Sequence, residues 1–231
     1  MAMIREHLAS IQKNISLICQ RLGRNPAEIT LIGVTKYATV EKIKEALTCG
    51  LTDVGENKVQ EAEKKFPQLD SIAPKLRKHM IGHLQTNKAK DALKYFDLIQ
   101  SVDSLKLAQE IDKQAAKINR VADILVQINT SGEEQKYGAE KTQALSLVDE
   151  ITSLQHVRIL GLMTMAAFTE DKEAVRVSFR ALREIRDQVS KKFGGHERVQ
   201  MKYLSMGMTD DYEIALEEGS NMVRIGRAIF Q

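Results

Sequence analysis

The chain has 231 residues, 43% apolar and 28% charged, and its 34 basic and 31 acidic side chains leave a net charge of +3. So small an excess, with bases and acids interspersed and no aromatic-and-basic stripe, speaks against nucleic acid or a membrane surface as a partner. No apolar run of about 18 residues and no leader-like start is present, so a cytoplasmic, reducing setting is the expectation. The length suits one α/β barrel or two small domains. Cys19 and Cys49 sit in helix-like stretches among apolar neighbours, and their spacing suggests neither a disulfide framework nor a metal site.

In chain order, Ile4, Leu8, Ile11, Ile15, Ile18 and Leu22 step by four and three, which predicts an amphipathic helix over 3–22, stopped by Gly23. Leu31 to Lys36 reads as a buried strand. Ile32, Val34 and Lys36 then share one face, because strand side chains alternate. From there strands and helices take turns. Helices are expected over 40–49, from Lys58 to about Pro67, and over 86–95, 104–118, 140–153, 170–192 and 210–218. Strands are expected over 51–56, 78–82, 98–102, 123–128, 158–163, 203–205 and 221–225. Eight strands, each after the first reached through a helix, imply parallel pairing with right-handed crossovers. The count favours a closed (β/α)8 TIM-type barrel with an additional N-terminal helix, over an open doubly wound sheet. No linker-like stretch divides the chain, so residues 1–231 are expected to form a single domain.

In such barrels the chemistry lies at the carboxyl ends of the strands, and phosphate often sits at the last two loops. Those ends supply Lys36, Glu56 and Asn57, His79 and His83, Met163 to Met165, Ser205 to Met208, and Arg224 to Arg227. Gly207 and Gly226 allow backbone amides to approach an anion, although glycine after a strand is also ordinary turn chemistry. An inward lysine is costly unless it is used. Lys36 is therefore either a snorkelling side chain or an amine desolvated by burial and suited to a Schiff base. Arg224 is either in an outward ion pair with Glu217 or Glu218 or facing a ligand ring. His79 and His83 lack a third partner at metal-ligand spacing. Met163, Met165, Met206 and Met208 read as cavity walls.

The blocks Val34-Thr35-Lys36, Gly55-Glu56-Asn57, His79 to Lys88, Gly161 to Met165, Ser205 to Met208 and Val223 to Phe230, in this order, resemble the pyridoxal phosphate homeostasis proteins, also called the YggS or proline synthase co-transcribed family. The resemblance implies a barrel like the N-terminal domain of alanine racemase, spanning nearly the whole chain, with pyridoxal 5'-phosphate as cofactor. It implies that Lys36 carries the internal aldimine and that Asn57 lies beside the ring. Ser205 and the backbone amides of Gly226 and Arg227 would hold the phosphate, and Arg224 would face the pyridine nitrogen. A fixed cation there opposes protonation of the nitrogen and weakens the ring as an electron sink. Ala167, Asn221 and Arg227 depart from the family's usual proline, threonine and small residue.

Three readings follow. In the first, the protein is a non-catalytic carrier in vitamin B6 homeostasis, a monomer that hands cofactor to pyridoxal phosphate-dependent apoenzymes. In the second it is a racemase-like enzyme. That chemistry needs a second base, and the expectation is that a barrel ending at Gln231 has no further domain to supply one, so Tyr37, His79 or a partner subunit would have to serve. The third, from the residues alone, is a Schiff-base aldolase acting on sugar phosphates.

Overall fold

In a computed structural model of the protein, which describes residues 2–133, 135–167 and 169–231 and Ala2 by its backbone alone, the chain opens with α1 (Ala2–Arg21). Its apolar row is its buried face: Ile4, Leu8, Ile11, Ile15 and Ile18 are nearly inaccessible, as the helical period predicts. Leu22 falls past the helix end and is exposed. The strands that follow are β1 (Thr30–Val34), β2 (Asp53–Glu56), β3 (Arg77–Met80), β4 (Leu98–Val102), β5 (Ala122–Asn129), a two-residue β6 (Ala139–Glu140), β7 (Val157–Met163), β8 (Val199–Ser205) and β9 (Met222–Ile225). Between them run α2 (Val40–Thr48), α3 (Val59–Lys65), α4 (Pro67–Asp70), α5 (Ala89–Tyr95), α6 (Leu105–Lys117), α7 (Ala144–Thr152), α8 (Lys172–Phe193) and α9 (Tyr212–Glu217), and α10 (Arg227–Phe230) comes last. Side-chain caps mark the starts of three of these. Thr39 accepts from Lys42 N, Ser104 from Leu107 N, and Asp171 from Glu173 N and Ala174 N, each satisfying an amide that has no intrahelical partner.

The strands pair in parallel in the order β4-β3-β2-β1-β9-β8-β7-β5, and β4 pairs with β5, which closes the sheet into the expected eight-stranded barrel. β6 is an outrigger held to β5 at Ile128 and Asn129. Two boundary differences from the sequence reading stand out. β1 stops at Val34, two residues short of Lys36. β8 begins at Val199 rather than Tyr203, because exposed Gln200 and Lys202 give its first half a polar look. The short α10 follows directly on Gly226.

Two layers of apolar side chains hold the barrel. The large one lies between strands and helices. A small one fills the interior with Ile32, Leu98, Leu125, Leu160, Met163, Tyr203 and Met222. Gly161 sits where β7 meets β8, at φ +153°, and a Cβ there would lie 1.9 Å from the Tyr203 carbonyl oxygen. Backbone cannot yield as a side-chain tip can. Gly161→Ala is therefore expected to cost about 2–3 kcal/mol from overpacking and strain, read by urea denaturation; a loss within experimental error would show that the β7–β8 seam gives way freely. Among the described residues, no helix is long and apolar enough to cross a membrane.

Candidate functional site

Register fixes which residues face the barrel interior. Ile32 pairs with Arg224 and Gly33 with Ile225 across β1 and β9, and Ile32 pairs with Asp53 across β1 and β2. Ile32 belongs to the interior cluster, so Arg224 and Asp53 are interior positions too; Gly226 and Asn57 come just past the ends of β9 and β2, where continued alternation would keep them on the same face. Gly226 lies against Val34: a Cβ on it would stand 3.2 Å from Val34 Cβ and 3.3 Å from Val34 O. Lys36 comes two residues beyond Val34, at the rim.

Lys36 is not buried. It was expected on an inward strand face, and its parity is right, but β1 has ended, the barrel's last packed row lies below, and the side chain is exposed. Its Nζ is 5.1 Å from the ring centroid of Tyr37, itself 78% exposed. The ammonium is a rim group in contact with water, closer to the snorkelling alternative than to a desolvated amine. The backbone beneath it is nonetheless firmly held. Thr35 N donates to Gly55 O, and Lys65 Nζ donates to Thr35 O at 2.8 Å and to Glu56 Oε1 at 2.7 Å. Glu56, fully buried, also accepts from the Thr35 hydroxyl at 2.8 Å. It points away from the interior and is a structural carboxylate, not a site group.

Asn57 is half-buried and lines a cavity of about 640 Å3 at the β2–β3 rim, together with Met80, Gly82, His83 and Lys88. Lys36, Ser205, Arg224, Gly226 and Arg227 do not line that cavity. Arg227 is exposed and its side chain pairs with Asp210 on the outside. His83 stacks on Tyr137 with ring centroids 3.8 Å apart and 12° between the planes. That contact pins the loop after β5, of which Glu134 lies outside the described residues. Of the four methionines read as cavity walls, Met163 belongs to the interior cluster, Met165 packs against it, Met206 joins the outer core, and Met208 is exposed.

Arg224 turns inward and is buried. The outward ion pair is excluded, because Glu217 and Glu218 are engaged by Arg21, Arg176, Arg180 and Arg183. Its guanidinium donates to Ser205 Oγ at 2.6 Å and to Thr164 O at 2.7 Å. Burial pulls its pKa down to about 10, and the charge of Asp211 works against that, so it stays cationic at neutral pH. Ser205 is fully buried beside it and donates its proton to Gln100 Oε1 at 2.6 Å. The phosphate role expected of Ser205 thus meets a hydroxyl whose one proton is already placed. Asn221, one of the departures from the family pattern, lies away from the mouth. It bridges strands by accepting from Leu204 N and donating to Lys202 O.

Gln100, unnoticed in the sequence, continues inward. Its Nε2 is 3.0 Å from His79 Nδ1, and His79 Nε2 is 2.9 Å from Asp53 Oδ1. Both ring nitrogens of His79 are engaged and the residue is fully buried, which removes it as a base facing the mouth. Burial pushes the Asp53 carboxyl up, but hydrogen bonds from His79 and Thr52 and the nearby Arg77 outweigh it and hold the group below the usual range. Burial lowers the His79 pKa, and the contact with Asp53 offsets this only in part.

The unfolded chain therefore binds a proton at this histidine below about pH 6.5 that the folded chain refuses, and stability must fall as pH drops through that value. The expected share of His79 is up to about 1.4 kcal/mol between about pH 7.5 and 5.5. Urea denaturation at both pH values should show this slope reduced in His79→Gln; equal slopes would contradict it. Among the described residues, no group of three or more His, Cys, Asp or Glu is placed to hold a metal ion.

Comparison with known proteins bears on this arrangement. A family model described as "Alanine racemase, N-terminal domain" matches residues 7–231. The pyridoxal phosphate homeostasis protein of Aquifex aeolicus is 41% identical over 225 residues, which is 97% of this chain and 96% of that protein. Among solved structures, PipY of Synechococcus elongatus with pyridoxal phosphate bound is 30% identical with a TM-score of 0.84, over 99% of this chain and 100% of that one. Alanine racemase of Clostridium difficile shares the fold, at a TM-score of 0.77 and 19% identity, over 99% of this chain and 56% of that one. With a barrel closed in this order, and with relatives that align over almost their whole length, the chain belongs to the alanine racemase N-terminal-domain family and, within it, to the pyridoxal phosphate homeostasis proteins.

Proposed function

We propose that the protein binds pyridoxal 5'-phosphate, holds it through a Schiff base on Lys36, and serves intracellular vitamin B6 homeostasis as a carrier rather than by turning over a substrate. The observation that carries this reading is the register of the adjacent strands β9, β1 and β2. It sets Arg224 level with Ile32 on an inward face, Gly226 packs on Val34 just past the strand end, and alternation continued beyond the ends of β1 and β2 would bring Lys36 and Asn57 to the same side.

The residues fit the cofactor chemically. Gly226 lets the backbone pack closely on Val34, where a Cβ would crowd it at 3.2 Å, and the first N–H groups of α10 have no intrahelical acceptor by helix geometry. In this reading the amides of Gly226 and Arg227 take the phosphate, and Ser205 stands beneath them. Asn57 flanks the ring, and Arg224 faces its nitrogen. When bound, the cofactor supplies an aldehyde that condenses with a primary amine. Lys36 brings that amine at the rim.

Two features support carrying over catalysis. A buried guanidinium opposes a proton on the ring nitrogen, which is the state that draws electrons best. Neither of the chain's own two candidate bases is poised for the role, since His79 is enclosed on both nitrogens and Tyr37 is exposed. The names of the relatives, as homeostasis proteins, point the same way. We infer a monomer that passes the cofactor to apoenzymes awaiting it.

The test is the visible spectrum of the protein mixed with pyridoxal 5'-phosphate, followed by borohydride reduction and peptide mapping. A band fixed onto Lys36 supports the proposal. A colourless protein that cleaves a sugar phosphate would replace it with the aldolase reading. Exchange of amino-acid α-protons at about 1 per second or faster would defeat the carrier half.

A further inference from the structure

The barrel interior contains a polar chain that neither the family reading nor the proposed binding role assigns. It crosses the barrel from β9 to β2: Arg224 to Ser205 at 2.6 Å, Ser205 to Gln100 at 2.6 Å, Gln100 to His79 at 3.0 Å, and His79 to Asp53 at 2.9 Å. These five residues come from β9, β8, β4, β3 and β2, and each is less than one-tenth exposed. At the far end Arg77 lies 3.9 Å from Asp53 and donates to the Tyr203 hydroxyl at 3.0 Å.

The direction of every bond in this chain is forced. A carboxylate only accepts, so the nitrogen facing Asp53, Nε2, carries the His79 proton. A neutral imidazole has one such proton, so Nδ1 is an acceptor and Gln100 must present its amide nitrogen to it. The Gln100 carbonyl then faces Ser205, which must donate to it. That leaves a Ser205 lone pair toward Arg224, and a guanidinium only donates. The acceptor-only end and the donor-only end thus demand the same polarity. A buried network whose members are all satisfied is rigid, whereas reversing any one link would leave two donors or two acceptors face to face.

We propose that His79, held as the Nε2–H tautomer by Asp53, is a positioning residue that acts through Gln100 and Ser205 to fix the Arg224 guanidinium at the barrel mouth. His79 touches no ligand in this arrangement. It decides which way the Ser205 hydroxyl points, and through it where Arg224 rests. The toward-cofactor half of this proposal rests on the binding role assigned to Arg224 above, and the tautomer half does not.

The experiment has two arms. Two-bond 1H–15N correlation spectra of the cofactor-free protein at neutral pH read the tautomer directly. The expected pattern for His79 is a protonated Nε2 and a bare Nδ1, with Asp53→Asn relaxing that preference because an amide can donate as well as accept. A protonated Nδ1 in the wild type overturns the polarity. The second arm measures pyridoxal 5'-phosphate affinity by fluorescence titration. His79→Leu, which breaks the chain, is expected to weaken binding by about tenfold, a change of one decade in Kd. His79→Gln keeps one donor and one acceptor and is expected to stay within about threefold of wild type. Rescue by glutamine with matched thermal melts separates positioning from mere packing. Wild-type affinity in His79→Leu, or equal losses in both variants, overturns the role. Where His79→Leu does not fold, Asp53→Asn replaces it, with weakened affinity expected and unchanged affinity counting against the proposal. A wild-type protein that fails to bind the cofactor defeats the proposed function and the positioning role together, while the spectra still decide the tautomer.

Discussion

Lys36→Ala is expected to abolish the visible band formed with pyridoxal 5'-phosphate completely, and to leave no borohydride-fixed adduct on the peptide that contains residue 36. The expectation follows from position. The amine stands at the rim, one inward step above the row shared by Val34 and Gly226. Lys65 of α3, which reaches the backbone of the same turn, has its ammonium bound to Glu56 and to the Thr35 carbonyl. The phosphate contacts assigned to Gly226 and Arg227 are backbone ones and survive the substitution, so weak binding of the cofactor without colour is the expected remainder. Isothermal titration alongside the spectrum measures both parts. A full-strength band in the variant would remove Lys36 from the role.

Lys65→Met is expected to destabilise the fold by about 3–5 kcal/mol at neutral pH, the range for removing one partner of a buried ion pair. Glu56 has no accessible surface, and the side chain of Lys65 is only 11% exposed. After the substitution the carboxylate keeps the Thr35 hydroxyl and the Asn57 backbone N–H as donors, but no cation bonded to it. For a chain of this length that loss corresponds to a fall of about 6–20 °C in Tm. Adding Glu56→Gln should recover much of it, because a neutral amide needs no counter-charge, and the double-mutant cycle then gives the coupling. A loss below about 1 kcal/mol would mean that water reaches the carboxylate and screens it. The two predictions meet at Thr35, since the pair that stabilises the fold also anchors the turn carrying Lys36.

The barrel was legible because its cause is periodic. Ile4 to Ile18 step at helix spacing, and the apolar runs at Leu31–Val34, Leu98–Val102 and Ile124–Ile128 recur between helices. Closure needed the β4–β5 pairing, which joins strands with α6 between them. The site was legible in part. Lys36 had the right parity and the wrong environment, because alternation tells which way a side chain points but not where the packed rows stop. The direction of Arg224 was open until its register with Ile32 decided it. Gln100 gave a faint signal, a polar residue two positions after Leu98 on the inner face of a strand. Its significance depends on meeting His79 and Ser205 at 21 and 105 residues' remove, a coincidence created only when the sheet curls shut.

The rim setting of Lys36 has a kinetic corollary. A covalent bond between a carbonyl and an amine is undone by water, and the exposed side chain of Lys36 would leave such a bond, if formed there as proposed, open to solvent. The residence time of a captive would then be governed by hydrolysis at an open doorway rather than by a protein motion. In the proposed role, a depot built that way would load and empty on demand, and a competing amine arriving from outside would find the bond within reach.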